Sequence, residues 1–407
     1  MRILQINSLF DSGSTGKICG ELHRGLREAS IESFVIYGRG NKSNEKNVIK
    51  IGNELYSKIN HLISNITGIM YDGCYITTKK IINWITHINP DIVHLQCING
   101  NIVNIYKLIS YLKQNRVPTI LTLHAEFMYT GNCGHSLDCQ NWKNGCGHCP
   151  RVRQATGSYF VDNSEKSWKK MKEAFQGFKN IRIIAVSKWL EDRAKQSPIL
   201  RELPIKTIYN GLNTTIFQYK VESPINVLEK NNINHNKPII LHATPTFKSD
   251  PNDLKGGYYI IEIAKRLPNL QFVIAGDYEK INNLPSNIIL LGKIENQEEL
   301  AAWYSTANLT ILASKRETFS MVCAESLCCG TPVVGFRAGG LESVALKEYS
   351  RFVDYGDLAS LMCVIQESLK QCVDKMKISE IASQKYSSKV MLNKYINEYY
   401  HLLDDNS

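Results

Sequence analysis

Short runs of aliphatic and β-branched residues recur along this chain, each separated from the next by a longer stretch with helical spacing. That alternation limits the fold more than any other feature of the sequence. The first set of runs is Ile3–Asn7, Ser33–Tyr37, Ile92–Gln96, Thr119–Leu123 and Ile183–Val186, with Ile205–Tyr209 as a sixth. The second set is Pro238–Ala243, Gln271–Ala275, Ile288–Leu291, Leu309–Leu312 and Val333–Phe336. Several are continuously apolar rather than alternating, as in Pro118-Thr-Ile-Leu-Thr-Leu, which is how strands covered on both faces read. Helical stretches such as Tyr258–Arg266 and Gln297–Tyr304 lie between them. Strand and helix in alternation imply parallel sheets wound by right-handed crossovers. So many strands in 407 residues imply an α/β protein of two doubly wound, Rossmann-like domains. The expected boundaries are 1–207, 208–385 and a C-terminal helix over 386–407, with the linker in or near Asn210–Asn236, a stretch poor in strand signals. Within the last helix Met391, Tyr395, Tyr399 and Leu403 recur at fourfold spacing, so it should bury an aromatic face, packing back on the first domain.

Apolar residues at 43% and charged residues at 21% exclude a disordered chain, a collagen-like fibre and a coiled coil. No run of about 18 apolar residues is present, so no spanning helix is expected. The N-terminus reads as a strand rather than a secretory signal, and the expected location is the cytoplasm. The charge is uneven. Residues 1–207 carry 28 basic and 16 acidic side chains, a net of +12, whereas residues 208–407 carry 20 and 22, a net of −2. A basic half beside a near-neutral half suggests that one half meets an anionic surface: a membrane leaflet, a phosphorylated lipid or a nucleic acid. The bias is sharpest between Arg151 and Lys195, where Trp168, Met171, Phe175 and Phe178 recur at near-helical spacing beside Lys166, Lys169, Lys170 and Lys172. That face reads either as packed on the first sheet or as lying in lipid headgroups.

In open α/β sheets ligands bind beyond the carboxyl ends of the strands. The first strand runs into Ser12-Gly-Ser-Thr-Gly16-Lys17, a glycine-rich turn opening a helix that offers backbone N–H groups to an anion. It lacks the Walker spacing. The richest segment is Ser314-Lys-Arg-Glu317-Thr-Phe-Ser320-Met-Val-Cys-Ala-Glu325-Ser-Leu-Cys-Cys-Gly330-Thr-Pro332. A strand enters a loop, Ser320 is an N-cap, and Gly330 with Pro332 stops the helix. The N-terminus of such a helix suits a phosphate or pyrophosphate, and a carboxylate one to two turns inside it, Glu325, can accept two vicinal hydroxyls. A solvated glutamate on an ordinary capped helix is the plainer reading of Glu325 alone.

Glu317 and Glu325 form E-x7-E, followed by Gly330-Thr-Pro-Val-Val and Ala338-Gly-Gly-Leu-Glu342. This resembles the retaining nucleotide-sugar glycosyltransferases of family 4, with the GT-B fold: two Rossmann-like domains facing across a cleft. Leu254-Lys255-Gly256, Ala275-Gly276-Asp277, Leu291-Gly292-Lys293-Ile294, Ala185-Val-Ser187-Lys-Trp-Leu and Ile208-Tyr-Asn210-Gly211 match further motifs in order, so the resemblance covers nearly the whole chain. It implies a nucleoside diphosphate sugar donor, UDP- or GDP-linked, and no catalytic metal. Lys255 would sit on the diphosphate and stabilise the leaving charge. Glu317 would touch the donor sugar, Glu325 the ribose, and the backbone at Phe319, Ser320 and Met321 the phosphates and sugar. Ile294 would lie by the base, Asn210 would belong to the donor site, and Gly16 would let the diphosphate approach the first domain. His124, at a strand end, would contact the sugar near the reacting carbon. The family's common Arg ahead of Lys255 is replaced by Lys248, which cannot grip a phosphate bidentately. Its glycine after the aromatic is Ser320, and its His-Asp pair reads His124-Ala125-Glu126.

Four of the twelve cysteines, Cys133, Cys139, Cys146 and Cys149, are spaced C-x5-C-x6-C-x2-C. Four thiolates suit tetrahedral zinc, and Cys146-x2-Cys149 has knuckle spacing; two disulfides, or thiols lining a packed loop, are the alternatives. The block resembles an insertion in a colanic-acid-type branch of the family, which builds capsule, exopolysaccharide or O-antigen. The expected function is therefore transfer of a sugar, with retention, to a hydroxyl of a glycan or polyprenyl-diphosphate-linked acceptor, on the inner face of the cell membrane. A zinc-bearing nucleic-acid binder would leave Lys255, Glu317 and Glu325 unexplained, and no nucleic-acid partner is expected. A sugar-nucleotide epimerase or hydrolase on the same fold would act without an acceptor, and an inactive scaffold would do neither.

Overall fold

The computed structural model describes residues 1–158, 161–221, 228, 233–234 and 236–405. Among them the apolar runs become strands of two sheets, and every pairing is parallel. The first sheet contains β1 (Arg2–Asn7), β2 (Glu32–Tyr37), β3 (Val48–Lys50), β4 (Ile92–Leu95), β5 (Thr119–Leu123), β6 (Ile181–Ala185) and β7 (Ile205–Thr207), in the order β3-β2-β1-β4-β5-β6-β7. The second contains β8 (Ile239–Phe247), β9 (Gln271–Tyr278), β10 (Ile288–Gly292), β11 (Leu309–Leu312), β12 (Val333–Phe336) and β13 (Ser350–Val353), in the order β10-β9-β8-β11-β12-β13. Central strands β4, β5, β11 and β12 are buried along their whole length, which is why they read as unbroken apolar runs. The edge strands β3 and β13 were not expected. Both are short and only half-buried, so neither carries a period that burial would impose on the sequence.

The chain divides into two compact units, Met1–Tyr209 with Met391–Ser407, and Asn210–Val390. The segment Asn210–Asn236, expected to hold the linker, lies in part outside the described residues. Helices Lys375–Tyr386 and Ser388–Asp404 are separated at Ser387, whose backbone is extended. There Leu212 inserts, donating to Tyr386 O and accepting from Ser388 N, each at 2.9 Å. The last helix buries Met391, Tyr395, Tyr399 and Leu402. Leu402 takes the place expected of Leu403 because a 3.6-residue turn drifts off strict fourfold spacing.

That helix is tied to the first sheet by polar bonds as well as by rings. Tyr399 Oη lies 2.8 Å from His94 Nδ1, His94 Nε2 lies 2.8 Å from Thr122 Oγ1, and Thr122 Oγ1 lies 2.9 Å from Tyr395 Oη. Glu398 accepts from Arg182 on β6 at 3.2 Å and from Lys206 on β7 at 2.8 Å. Every member of the His94 chain is buried, so each would be costly to leave unpaired.

Helix Ser164–Phe175 settles one open reading. Trp168, Met171, Phe175 and Phe178 are all buried, at 7% exposure or less, and Trp168 Nε1 donates to Trp142 O at 2.8 Å. Its lysines are engaged too: Lys169 pairs with Glu165 and Lys170 with Asp72. This apolar face belongs to the core of the first unit and is not a membrane surface. Among the described residues no helix is long and apolar enough to cross a membrane.

Candidate active site

In the second sheet the winding runs from β8 outward to β9 and β10 on one side, and through β11, β12 and β13 on the other. The order reverses between β8 and β11, and a crevice opens at the carboxyl ends of such a pair. The chain leaving β8 carries Lys248 and Lys255 before helix Gly257–Arg266; the chain leaving β11 carries Glu317, Phe319 and Ser320 before helix Met321–Cys328. Lys255 Nζ and Glu317 Oε1 form an ion pair of 2.7 Å across this reversal. Backbone geometry holds both ends. Lys255 N donates to Asp253 Oδ2 at 2.9 Å. The next residue, Gly256, has φ 73°, and a Cβ there would stand 2.1 Å from Ala313 O. Only glycine lets the β8 loop press against the end of β11. On the other side Glu317 N donates to Ala338 O and Gly340 N donates to Glu317 O, at 2.9 and 2.8 Å. A Cβ on Gly340 would meet Thr318 O at 2.1 Å. Lys248 is half-buried and 4.0 Å from Asp253, so one aspartate meets the Lys248 ammonium and the Lys255 backbone amide.

Ser320 caps helix Met321–Cys328, its Oγ accepting from Cys323 N at 3.3 Å. Phe319, beside it, is buried and meets Tyr386 edge-on at 6.4 Å between ring centres. One turn further on, Glu325 Oε2 accepts from Tyr304 Oη at 3.0 Å. Tyr304 is fully buried, and burial together with the Glu325 charge pushes its phenol well above the usual range. It therefore stays a donor and fixes the carboxylate. Ile294 is half-buried just beyond β10, and Asn210, the first residue of the second unit, is buried.

In the first unit His124 follows β5 and is 8% exposed; burial lowers its imidazole to about 4, so it is neutral at pH 7. Gly16 is buried on helix Gly13–Glu28, which β1 feeds, and its carbonyl accepts from Asp11 N at 3.0 Å. Asn7, at the end of β1, accepts from Cys97 N at 2.9 Å and donates to Leu9 O at 2.7 Å, joining the loops after β1 and β4 where this sheet reverses. Glu126 has no exposure and accepts from Tyr129 Oη, Ser136 N and Arg193 Nε at 2.9, 2.7 and 2.7 Å. It organises the loop after His124 from inside.

The four clustered cysteines line one cavity of about 20 Å³, shared with Asn132 and Trp142, which is room for a single water-sized sphere. All four are thiols; burial pushes Cys133 and Cys146 up to about 12. As they stand, no three His, Cys, Asp or Glu side chains among the described residues are arranged to hold a metal ion.

Two family models match the chain: Glycosyltransferase Family 4 over residues 16–216, and Glycosyl transferases group 1 over residues 252–371. This chain belongs to glycosyltransferase family 4. The family-4 enzyme is 19% identical to the putative colanic acid biosynthesis glycosyl transferase WcaC of Escherichia coli K12, over 99% of this chain and all of that one. Its fold is that of sucrose-phosphate synthase from Thermosynechococcus elongatus, with a TM-score of 0.73, 15% identity and full coverage of both chains. The UDP-glucose complex of HepE from Anabaena superimposes with a TM-score of 0.66 at 14% identity, covering 98% of this chain and 99% of that one. These likenesses establish the two-domain GT-B fold.

Ser320 has φ 73°, the left-handed region in which glycine is easiest, so the serine carries strain at the position where the resemblance leads one to expect glycine. Sequence reasoning missed Tyr304 and Asp253, and it quoted Glu342 in a motif without its part, which is to accept from Ala338 N and Gly339 N at 3.0 and 2.9 Å. Tyr304 sits in an ordinary helical stretch of mixed polarity and gives no signal; Asp253 was legible only as a charge two residues before Lys255.

Proposed function

We propose that this glycosyltransferase moves a sugar from a nucleoside diphosphate sugar to a hydroxyl of a glycan or polyprenyl-diphosphate-linked acceptor, with retention, in the assembly of a bacterial surface polysaccharide. The observation that carries this reading is the Lys255–Glu317 pair at the strand-order reversal. A cation there meets the diphosphate, and a carboxylate beside it meets sugar hydroxyls. The UDP-glucose held by HepE and the colanic acid assignment of WcaC support the donor class and the pathway.

In the proposed reaction the bond between the anomeric carbon and the diphosphate oxygen breaks, and the electron pair leaves with the nucleoside diphosphate. Lys255, with the backbone at Phe319, Ser320 and Met321, stabilises that charge. The acceptor oxygen bonds to the anomeric carbon on the same face, and its proton passes to the departing phosphate. Glu317 orients the donor sugar, Glu325 the ribose, and neutral His124 hydrogen-bonds the sugar. Ile294 packs by the base; Lys248, Asn210 and Gly16 complete the donor site. No step needs a catalytic metal. The work is done in the cytoplasm at the inner membrane face, where a lipid-linked acceptor is presented.

The cysteine block supports a separate proposal, a structural zinc held by Cys133, Cys139, Cys146 and Cys149. Four soft donors around a cavity of single-ion size fit that metal. The donor proposal is tested by thermal stabilisation against a nucleotide panel. The matching diphosphate at 100 times its Kd should add about 2.7 kcal/mol, and turnover with acceptor should yield a product of unchanged anomeric configuration. Conversion of the donor sugar without any acceptor would favour an epimerase.

A further inference from the structure

Helix Glu54–Thr67 of the first unit is turned inside out. The residues it buries are Ser57, Asn60 and Ser64. Those it presents to solvent are Leu55, Ile59, Leu62, Ile63 and Ile66, between 47% and 68% exposed. At 3.6 residues per turn the five aliphatic side chains fall within an arc of about 100°. Tyr75 and Ile76, at 53% and 62% exposure, open the next helix, Tyr75–Ile88, and Ile76 N donates to Tyr56 Oη on the first at 3.2 Å. The stripe therefore continues from one helix to the other.

The inward polar face is not a packing accident. Asn60 Oδ1 accepts from Cys74 N at 2.7 Å, Asn60 Nδ2 donates to Tyr56 O at 2.8 Å, and Ser64 Oγ donates to Asn60 O at 3.0 Å. Two of these bonds lie within the helix; rolling it to bury its aliphatic side would break the one that leaves it, Asn60 to Cys74, along with Tyr56 Oη to Ile76 N. A contiguous exposed apolar face of this kind marks an interaction surface.

Charge selects what it meets. The region's two carboxylates are already matched, Glu54 with Arg39 and Asp72 with Lys170. Lys58, Lys79 and Lys80 are exposed and, among the described residues, in no ion pair. Lys42, Lys50 and Lys80 also line a groove of about 430 Å³ with Tyr56 and Ile76, so cations flank the stripe. A second copy of this chain, docked face to face, would set the same lysines against one another. We propose that this face docks on the anionic surface of a lipid bilayer. The aliphatic side chains enter the boundary between headgroups and acyl chains, and the lysines meet lipid phosphates. The proposal rests on the lipid-linked acceptor reading for its purpose only, because docking is measured without any sugar transfer.

The test is co-sedimentation of the full chain with phosphatidylglycerol-rich and with pure phosphatidylcholine vesicles, at low and high salt. Binding to the anionic vesicles alone, weakened by salt, is expected. Ile59→Ser with Ile66→Ser replaces side chains already in water, so the fold should survive, as circular dichroism will show. Vesicle affinity should fall by about tenfold or more. Lys79→Glu with Lys80→Glu should abolish the preference for anionic lipid. Equal indifference to both vesicle types, or undiminished binding by the serine variant, would overturn the proposal. A lipid-free dimer that the serine variant dissociates would overturn it in favour of self-association. A failed transfer assay with intact vesicle binding would count against the transferase reading instead.

Discussion

Lys255 and Glu317 meet at 2.7 Å, bridging the loops that leave β8 and β11 where the order of the second sheet reverses. The lysine is more than a third exposed, so the pair adds only about 0–1 kcal/mol to stability. Two glycine contacts and an aspartate nonetheless hold it in place. Such effort for so little stability is what a binding site shows: the groups are positioned for a ligand that will compete for both of them.

The first prediction follows from that pairing. Lys255→Ala and Glu317→Ala should each lower kcat/KM about tenfold to a hundredfold, since a charge-assisted hydrogen bond contributes about 1.5–3 kcal/mol. Melting temperatures should hardly move. Because the two side chains touch, the double variant should lose less than the product of the single losses. Near-normal kinetics in both single variants would remove the proposed donor site.

Glu325 gives a finer test. Its carboxylate is oriented by buried Tyr304 through one hydrogen bond of 3.0 Å. Tyr304→Phe keeps the ring and deletes the donor, and a typical net hydrogen bond is about 0.5–1.5 kcal/mol. Donor KM should rise about twofold to tenfold with kcat little changed, whereas Glu325→Ala should raise it further. A loss confined to kcat would mean that Glu325 touches the reacting centre rather than the nucleotide.

What could be read from the sequence divides along the line of burial. β4, β5, β11 and β12 are enclosed on both faces, so most of their residues are aliphatic and the sheets were legible, with the buried polar His94 and Thr122 hydrogen-bonded to each other. Ser320 was legible as a helix cap beyond a strand end, whereas Lys255 and Glu317 were picked out by their resemblance to the family's motifs. Helix Glu54–Thr67 was not: its aliphatic periodicity is that of any surface helix, and nothing in the spacing tells which face turns inward. The 164–175 helix shows the converse. Its lysines suggested a membrane face, yet Lys170 and Lys169 answer to local carboxylates and its aromatics to the core. Partners such as Tyr304 and Asn60 come from distant or polar positions that no local period marks.

The cysteine block makes a compositional prediction. Protein purified from zinc-replete cells without a chelating tag should carry about one zinc per chain if the four thiols form a tetrahedral site. Elemental analysis reads the metal directly. Cobalt exchange should add thiolate-to-metal charge transfer and the strong visible bands of tetrahedral coordination. Cys146→Ser should lose the metal and destabilise the loop beyond His124, while Cys363→Ser, on an exposed cysteine, should keep it. Metal-free protein of full stability would reject the site.

The last prediction concerns acid. Burial is the largest cause of lowering at four histidines: His23, His124 and His242 to about 4, and His94 to about 3, against 6.5 for an ordinary imidazole. A group whose pKa is lower in the folded state binds its proton more readily when unfolded. Unfolding therefore takes up protons between about pH 6.5 and 4, and stability rises with pH across that window. Each histidine contributes fully above its unfolded value, and its contribution is lost as pH falls toward the folded one. Three of the four lie in the first unit, so that unit should be the more acid-sensitive. Between pH 7.5 and 6.5 the melting temperature should change little. Between 6.5 and 5.5, where ordinary carboxylates remain ionised, it should drop measurably, and calorimetry in buffers of different ionisation enthalpy should show net proton uptake on unfolding. A melting temperature flat from pH 7.5 to 5.5 would mean that these rings reach water or an acidic partner in solution, and His124 would then be available as a cation near neutral pH rather than as the neutral hydrogen-bonding group assigned to it.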